Sequence, residues 1–229
     1  MRPIRNLPRS PWSSCSPDFG VNGVLDRFAR IEPTVLVVAD GYSYNGRVFD
    51  CLEKVAGILA GLPERPRTIV VPHAARTAGG VWDDSPGVRP DIAAVAGAEH
   101  WDEVMAAQAG AAEDFTRLPF DHPLYIMYSS GTTGLPKCIV QSAGGILLNQ
   151  LKEHRLHVDL GEDDRLFYFT TCGWMMWNWL VAGLGTGAGI VLFDGSPFHP
   201  DASVLWRLAE DEEVTHFGAS AKYIAALEK

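Results

Sequence analysis

The 229 residues carry 47% hydrophobic and 21% charged side chains, which excludes a disordered chain and leaves room for one large domain or two small ones. A formal net charge of −9 excludes a general nucleic-acid surface, because neutralising phosphates takes clustered Lys and Arg. It does not exclude a small anion such as ATP, which backbone dipoles and one placed cation can hold within an acidic whole.

The start, Met1 to Pro11, has Arg2, Arg5 and Arg9 but lacks the apolar stretch of a secretory signal, and Pro3, Pro8 and Pro11 oppose the amphipathic helix of a mitochondrial presequence. Cys15, Cys51, Cys138 and Cys172 never form a C-x-x-C pair, so they read as reduced thiols of a cytoplasmic chain rather than a zinc site or disulfide framework. Val35 to Val38 predicts a strand, ended by the turn-rich Asp40-Gly41-Tyr42-Ser43. From Arg47 to Leu59, the residues Val48, Cys51, Leu52, Val55, Ile58 and Leu59 fall on one helical face, and Gly61 and Pro63 then stop the helix. Thr68 to Val71 predicts a second strand, Thr77 to Pro90 an exposed connection, and Glu99 to Ala107 a helix.

The apolar run Leu124 to Tyr128 leads straight into Ser129-Ser130-Gly131-Thr132-Thr133-Gly134-Leu135-Pro136-Lys137, and the apolar Cys138 to Val140 follows. Beyond it, Ala143 to Leu156 reads as helix, Leu166 to Phe169 as strand, Met175 to Leu184 as helix and Gly189 to Phe193 as strand. Helices over Ala202 to Ala209 and Ser220 to Leu227 enclose a strand at Val214 to Phe217. The alternation predicts an α/β fold with mainly parallel sheets flanked by helices. Leu166 to Phe193 has no charge and the length to cross a bilayer, but Gly173, Gly183, Gly185, Gly187 and Gly189 break it, so no membrane span is expected. The pattern is still helical at Lys229, with no Gly or Pro to close it, and reads as an interrupted protein.

Residues 129–137 carry the chemistry. Gly131 and Gly134 let the backbone bend and bring N–H groups close to phosphate oxygens. The hydroxyls of Ser129, Ser130, Thr132 and Thr133 can donate to several oxygens at once, and Lys137 adds a flexible point charge. A Walker A loop needs glycine before its lysine and a hydroxyl after it, whereas Pro136 and Cys138 stand there. A plain polar hairpin is the bland alternative, since turns ordinarily contain Ser, Thr and Gly. Gly183-Leu184-Gly185-Thr186-Gly187-Ala188 matches a dinucleotide fingerprint, but a helix precedes it and a strand follows, the reverse of that fold's order, so it reads as a turn. The pair His154 and His157 reads as a solvated helix end rather than metal ligands, and no metal site is expected.

Tyr128 to Lys137, YSSGTTGLPK, closely resembles the phosphate loop of the adenylate-forming superfamily of acyl-CoA synthetases, luciferases and peptide-synthetase adenylation domains. The segments Cys15 to Gly20, Cys138 to Ser142, Phe167 to Trp179 and Phe217 to Tyr223 narrow the resemblance to the acetoacetyl-CoA synthetase family. It covers most of Trp12 to Lys229, as a partial AMP-binding domain, while Met1 to Pro11 matches nothing known. The resemblance implies that a carboxylate attacks the α-phosphate of ATP with Mg2+, giving an acyl-adenylate that coenzyme A then captures. It assigns Ser129, Ser130, Gly131, Thr132, Thr133, Gly134 and Lys137 to the β- and γ-phosphates, with Lys137 and Thr132 as catalytic candidates. Trp174 becomes a candidate for packing the acyl substrate, although it, Met175, Met176, Trp177 and Trp179 would equally fill a core. Ser220 is a candidate for approaching substrate, or simply a helix cap. The family's later motifs for adenine, ribose, magnesium and the mobile carboxy-terminal lysine are not found in these residues, which implies that the chain does not complete acetoacetate activation alone.

Overall fold

The computed structural model of the protein describes residues 11–74, 90–112, 115–129 and 136–228. These divide into two compact units, one drawn from residues 17–112 and the other from residues 11–16, 115–129 and 137–228.

In the first unit, helix α1 (Val21–Phe28) and strand β1 (Val35–Ala39) are followed by β2 (Gly41–Tyr44), β3 (Arg47–Asp50), α2 (Leu52–Gly61), β4 (Arg67–Val71), β5 (Glu99–His100) and α3 (Trp101–Ala106). A parallel sheet runs in the order β1-β4-β5, with Val35 opposite Arg67 and Ile69 opposite Glu99. The apolar stripe of α2 buries Leu52, Val55, Ile58 and Leu59, and Leu36, Ile69 and Val70 are buried on the sheet, so the expected strand and helix faces are the ones that pack. α1 lies against α2 closely enough that a Cβ on Gly61 would stand 2.6 Å from Leu25 Cδ1.

Three expectations fail here. The residues Asp40 to Ser43 are not a terminating turn, and the helix does not begin at Arg47; β2 and β3 form an antiparallel hairpin with Tyr44 opposite Arg47. The turn is Asn45-Gly46, with φ of 52° and 73°, the doubly positive pair that matches the twist of a two-residue hairpin. Val48 therefore stands exposed on a strand rather than on the buried helical stripe. The helix starts only after Asp50, whose Oδ1 accepts the N–H of Leu52 at 2.7 Å. Glu99 likewise opens β5 rather than a helix, held by Arg67 Nε at 2.6 Å and Arg67 Nη2 at 2.9 Å.

The second unit begins with residues Trp12–Ser16 and contains β6 (Pro123–Ser129), β7 (Lys137–Ser142), α4 (Ala143–Lys152), β8 (Arg165–Tyr168), α5 (Met175–Ala182), β9 (Gly189–Val191), α6 (Val204–Asp211), β10 (His216–Gly218) and α7 (Ala221–Leu227). Its parallel sheet runs β10-β8-β9. One core joins Leu160, Leu166, Leu180 and Ala188, with Trp177 and Trp179 packed against it. Another joins Phe167, Leu205 and Tyr223. β6 and β7 pair antiparallel, a departure from the mainly parallel pattern that follows from their short connection, since parallel neighbours need a long crossover. The expected connection Thr77 to Pro90 lies, except for Pro90, outside the described residues.

The expected solvated end holds for His157 and fails for His154. α4 passes into a π-helical turn, Glu153–His157, whose extra residue per turn changes which side chains face inward. His157 is exposed, whereas His154 has no accessible surface. Its Nε2 lies 2.9 Å from the Trp179 carbonyl, its ring stands 4.3 Å from the Trp179 ring, and its buried Nδ1 has no hydrogen-bond partner. Among the described residues no three His, Cys, Asp or Glu side chains converge as a metal site, and no helix is long and apolar enough to cross a membrane.

Candidate functional site

The ends of the serine- and threonine-rich loop are fixed by the β6–β7 register. Tyr128 faces Cys138, Met127 faces Ile139, and Ser129 faces Lys137 as backbone partners, so the residues that open and close the loop sit about 5 Å apart. Ser129 is half-buried and Lys137 exposed. Ser130, Gly131, Thr132, Thr133 and Gly134 lie outside the described residues.

The amino-terminal segment adds a third strand-like layer to β6. Trp12 pairs parallel with Tyr125; its N–H donates to the Leu124 carbonyl at 2.7 Å and its carbonyl accepts from Ile126 N–H at 2.9 Å. The Ser13 hydroxyl lies 2.8 Å from the Ile126 carbonyl and 3.0 Å from the Tyr128 hydroxyl. The Ser14 hydroxyl donates to the Cys172 carbonyl, and Cys172 Sγ lies 3.7 Å from the Cys15 carbonyl. Gly173 is required at this crossing: a Cβ there would stand 2.8 Å from the Ser16 nitrogen, which is backbone and cannot swing aside. The N-terminal segment thus runs tightly between β6 and the turn that starts α5.

These elements bound a narrow cleft, partly open to solvent and with room for about one water molecule, whose walls include Ser14, Met127, Tyr128, Cys172, Trp174 and Asn178. Trp174 stands at the N-terminus of α5 and is 64% exposed. The alternative that the aromatic run fills a core holds for Trp177 and Trp179, but not for Trp174. Ser220 is not part of this cleft; it caps α7, its hydroxyl accepting the Tyr223 N–H at 3.2 Å. The structure therefore brings Trp174 and Tyr128 to the same cleft, beside β6, and shows Ser220 as a helix cap.

Sequence reasoning missed Asn178. It is only 7% exposed, and its Nδ2 lies 3.3 Å from Met127 Sδ. A lone amide inside the uncharged helix Met-Met-Trp-Asn-Trp-Leu-Val was the available signal, because a buried polar group without a purpose is costly. Burial also raises the phenol pKa of Tyr125, on β6, above its ordinary value.

The acetoacetyl-coenzyme A synthetase of Rhizobium meliloti (strain 1021) is 53% identical over 218 residues, covering 95% of this chain and 32% of that protein. The malonamoyl-CoA synthetase of Penicillium aethiopicum is 40% identical over 229 residues, covering 95% and 31%. The solved acetoacetyl-CoA synthetase from Streptomyces lividans superposes with a TM-score of 0.81 at 45% identity, over 96% of this chain and 31% of that one. The chain thus spans about a third of the length of the relatives it matches, in a mixed α/β fold of the same kind. The AMP-binding enzyme family matches residues 14–228, and the chain belongs to that family.

Proposed function

We propose that these residues are the phosphate-gripping part of an acetoacetate–CoA ligase, with residues 12–229 forming a partial adenylation domain. The supporting observation is the register that sets Ser129 opposite Lys137 at the two ends of Ser-Gly-Thr-Thr-Gly-Leu-Pro in a member of the AMP-binding family. In the reaction, the acid's carboxylate attacks the α-phosphate of ATP, pyrophosphate leaves, and the coenzyme A thiol then displaces AMP from the acyl-adenylate. Negative charge builds on the departing pyrophosphate. Ser129, Ser130, Thr132 and Thr133 donate hydrogen bonds to it, the amides at Gly131 and Gly134 approach it closely, and Lys137 adds a cation, so the loop works by position and electrostatics. Mg2+ is the proposed companion of ATP and would supply charge neutralisation at its phosphates, with few protein ligands of its own.

The acyl end faces the cleft beside Trp174. The two kinds of relative are named for acyl groups that share one feature: acetoacetyl and malonamoyl both carry a carbonyl at the third carbon. ATP, acetoacetate and CoA are accordingly the proposed small-molecule partners, and the cytoplasm the proposed compartment. Ser220 is proposed as a structural cap rather than a substrate contact.

The test is the affinity for ATP, read by calorimetry and by thermal shift. ATP is expected to bind and raise the melting temperature, as any ligand selective for the folded state does, and the variant Thr132→Ala/Thr133→Ala/Lys137→Ala is expected to lose at least tenfold in affinity. Unchanged ATP affinity in the folded triple variant would overturn the assignment.

A further inference from the structure

We propose that Asn178 determines acyl specificity, its side-chain amide donating a hydrogen bond to the carbonyl at the third carbon of the bound acid. The inference rests on the ligase reading and deepens it. A carbonyl entering the cleft needs a donor, and the donors there differ in how far they are committed. The Ser13 hydroxyl is taken up by the Ile126 carbonyl and the Tyr128 hydroxyl, and the Ser14 hydroxyl by the Cys172 carbonyl. Trp12 and Trp174 are 53% and 64% exposed, so neither offers a donor held in a buried setting. Asn178 is different. It is buried at the cleft wall, and the hydrogen-bond partner of its Nδ2 is a thioether sulfur, a weak acceptor, at 3.3 Å. The NH2 group carries two protons, so one donor remains for an incoming oxygen even while Met127 keeps the other.

Placement also favours this role. Asn178 lies one helical turn after Trp174 on α5, so the indole and the amide address the cleft from the same element. The indole supplies apolar surface to the acyl chain and the amide a single directional contact. A site that hydrogen-bonds a substrate oxygen rejects the analogue lacking it, because its own buried donor is left unpaired. Acetoacetate and malonamate present that oxygen; butyrate, of similar length, does not.

Titration of the 229-residue chain with each acid, followed through the indole N–H resonances in 1H–15N spectra, tests the proposal. Acetoacetate and malonamate are expected to bind about tenfold more tightly than butyrate, the discrimination of one ordinary hydrogen bond. In Asn178→Leu, which removes both protons at similar volume, that preference is expected to fall to about one, with acetoacetate and malonamate binding more weakly and butyrate no longer facing an unpaired buried donor. Because Asn178 is buried, the variant's fold is checked by circular dichroism. If it does not fold, a nuclear Overhauser contact between the Asn178 amide protons and bound acetoacetate in the native chain decides instead, and its absence overturns the proposal. Equal affinity for all three acids would overturn the role of Asn178 and leave the ligase reading standing. No perturbation by any acid, with ATP binding intact, would overturn the acyl cleft itself.

Discussion

His154 is a histidine that folding holds neutral. Burial against the Trp179 ring lowers its pKa below the usual value of 6.5, more strongly than its hydrogen bond to the Trp179 carbonyl or the nearby Glu153 carboxylate raises it. The unfolded chain therefore binds one more proton than the folded chain over a window below about pH 6.5. The contribution of neutral His154 to stability is present above that pH and is lost as pH falls through the window toward its depressed folded pKa. One proton limits the slope to about 1.4 kcal/mol per pH unit. Urea denaturation of the native chain and His154→Leu between pH 8 and pH 5 is expected to show their stability difference changing in the variant's favour as pH drops. A difference independent of pH would mean that His154 is not a proton-linked residue. The sequence did not reveal this, because two histidines three residues apart near a helix end read as solvated, and only the π-helical turn drives one of them inside.

At the scale of elements, periodicity made most of the fold legible. The stripe Leu52, Val55, Ile58 and Leu59 and the short apolar runs at Val35 and Thr68 became the helix and strands they suggested, because burial of one face decides such elements. The β2–β3 hairpin was not read, since the helical count extended back through Val48 and overrode the Asn45-Gly46 signal between two Tyr- and Val-containing runs. The candidate loop was proposed from its donors and its resemblance to a known phosphate loop, whereas Asn178 was not singled out, because only the fold brings α5 against Met127. The hairpin supplies a contrast between glycines. Gly46 has φ of +73°, where an L side chain costs about 1 kcal/mol, so Gly46→Ala is expected to destabilise by roughly that amount. Gly23 lies inside α1 with nothing nearer to a Cβ than Phe19 Cβ at 3.8 Å, so Gly23→Ala is expected to stabilise by about 0.5–1 kcal/mol. Equal effects of the two substitutions in chemical denaturation would show that the Asn45-Gly46 conformation does not set the hairpin.

For the whole molecule, the balance between buried and exposed apolar surface bears on the proposed ligase. Ile139, Val140, Leu147, Leu148, Leu156, Leu184 and Leu192 are all large apolar side chains left exposed in the unit that carries the candidate cleft. Single exposed leucines are ordinary, but so many on one unit mark surface that other polypeptide would cover. The relatives are about three times as long as the match, so they contain polypeptide able to do so. The chain alone is therefore expected to bind a hydrophobic dye such as ANS and to release no pyrophosphate from ATP in the presence of acetoacetate. A chimera joining these residues to the remaining part of the Rhizobium meliloti relative is expected to bind less dye per molecule and to release pyrophosphate, with acetoacetate preferred over butyrate. Both readouts are needed. Dye binding that falls without any pyrophosphate release would show the surface to be covered while the loop's catalytic role fails. Pyrophosphate release by the 229-residue chain alone would contradict the proposal that the reaction needs parts beyond these residues.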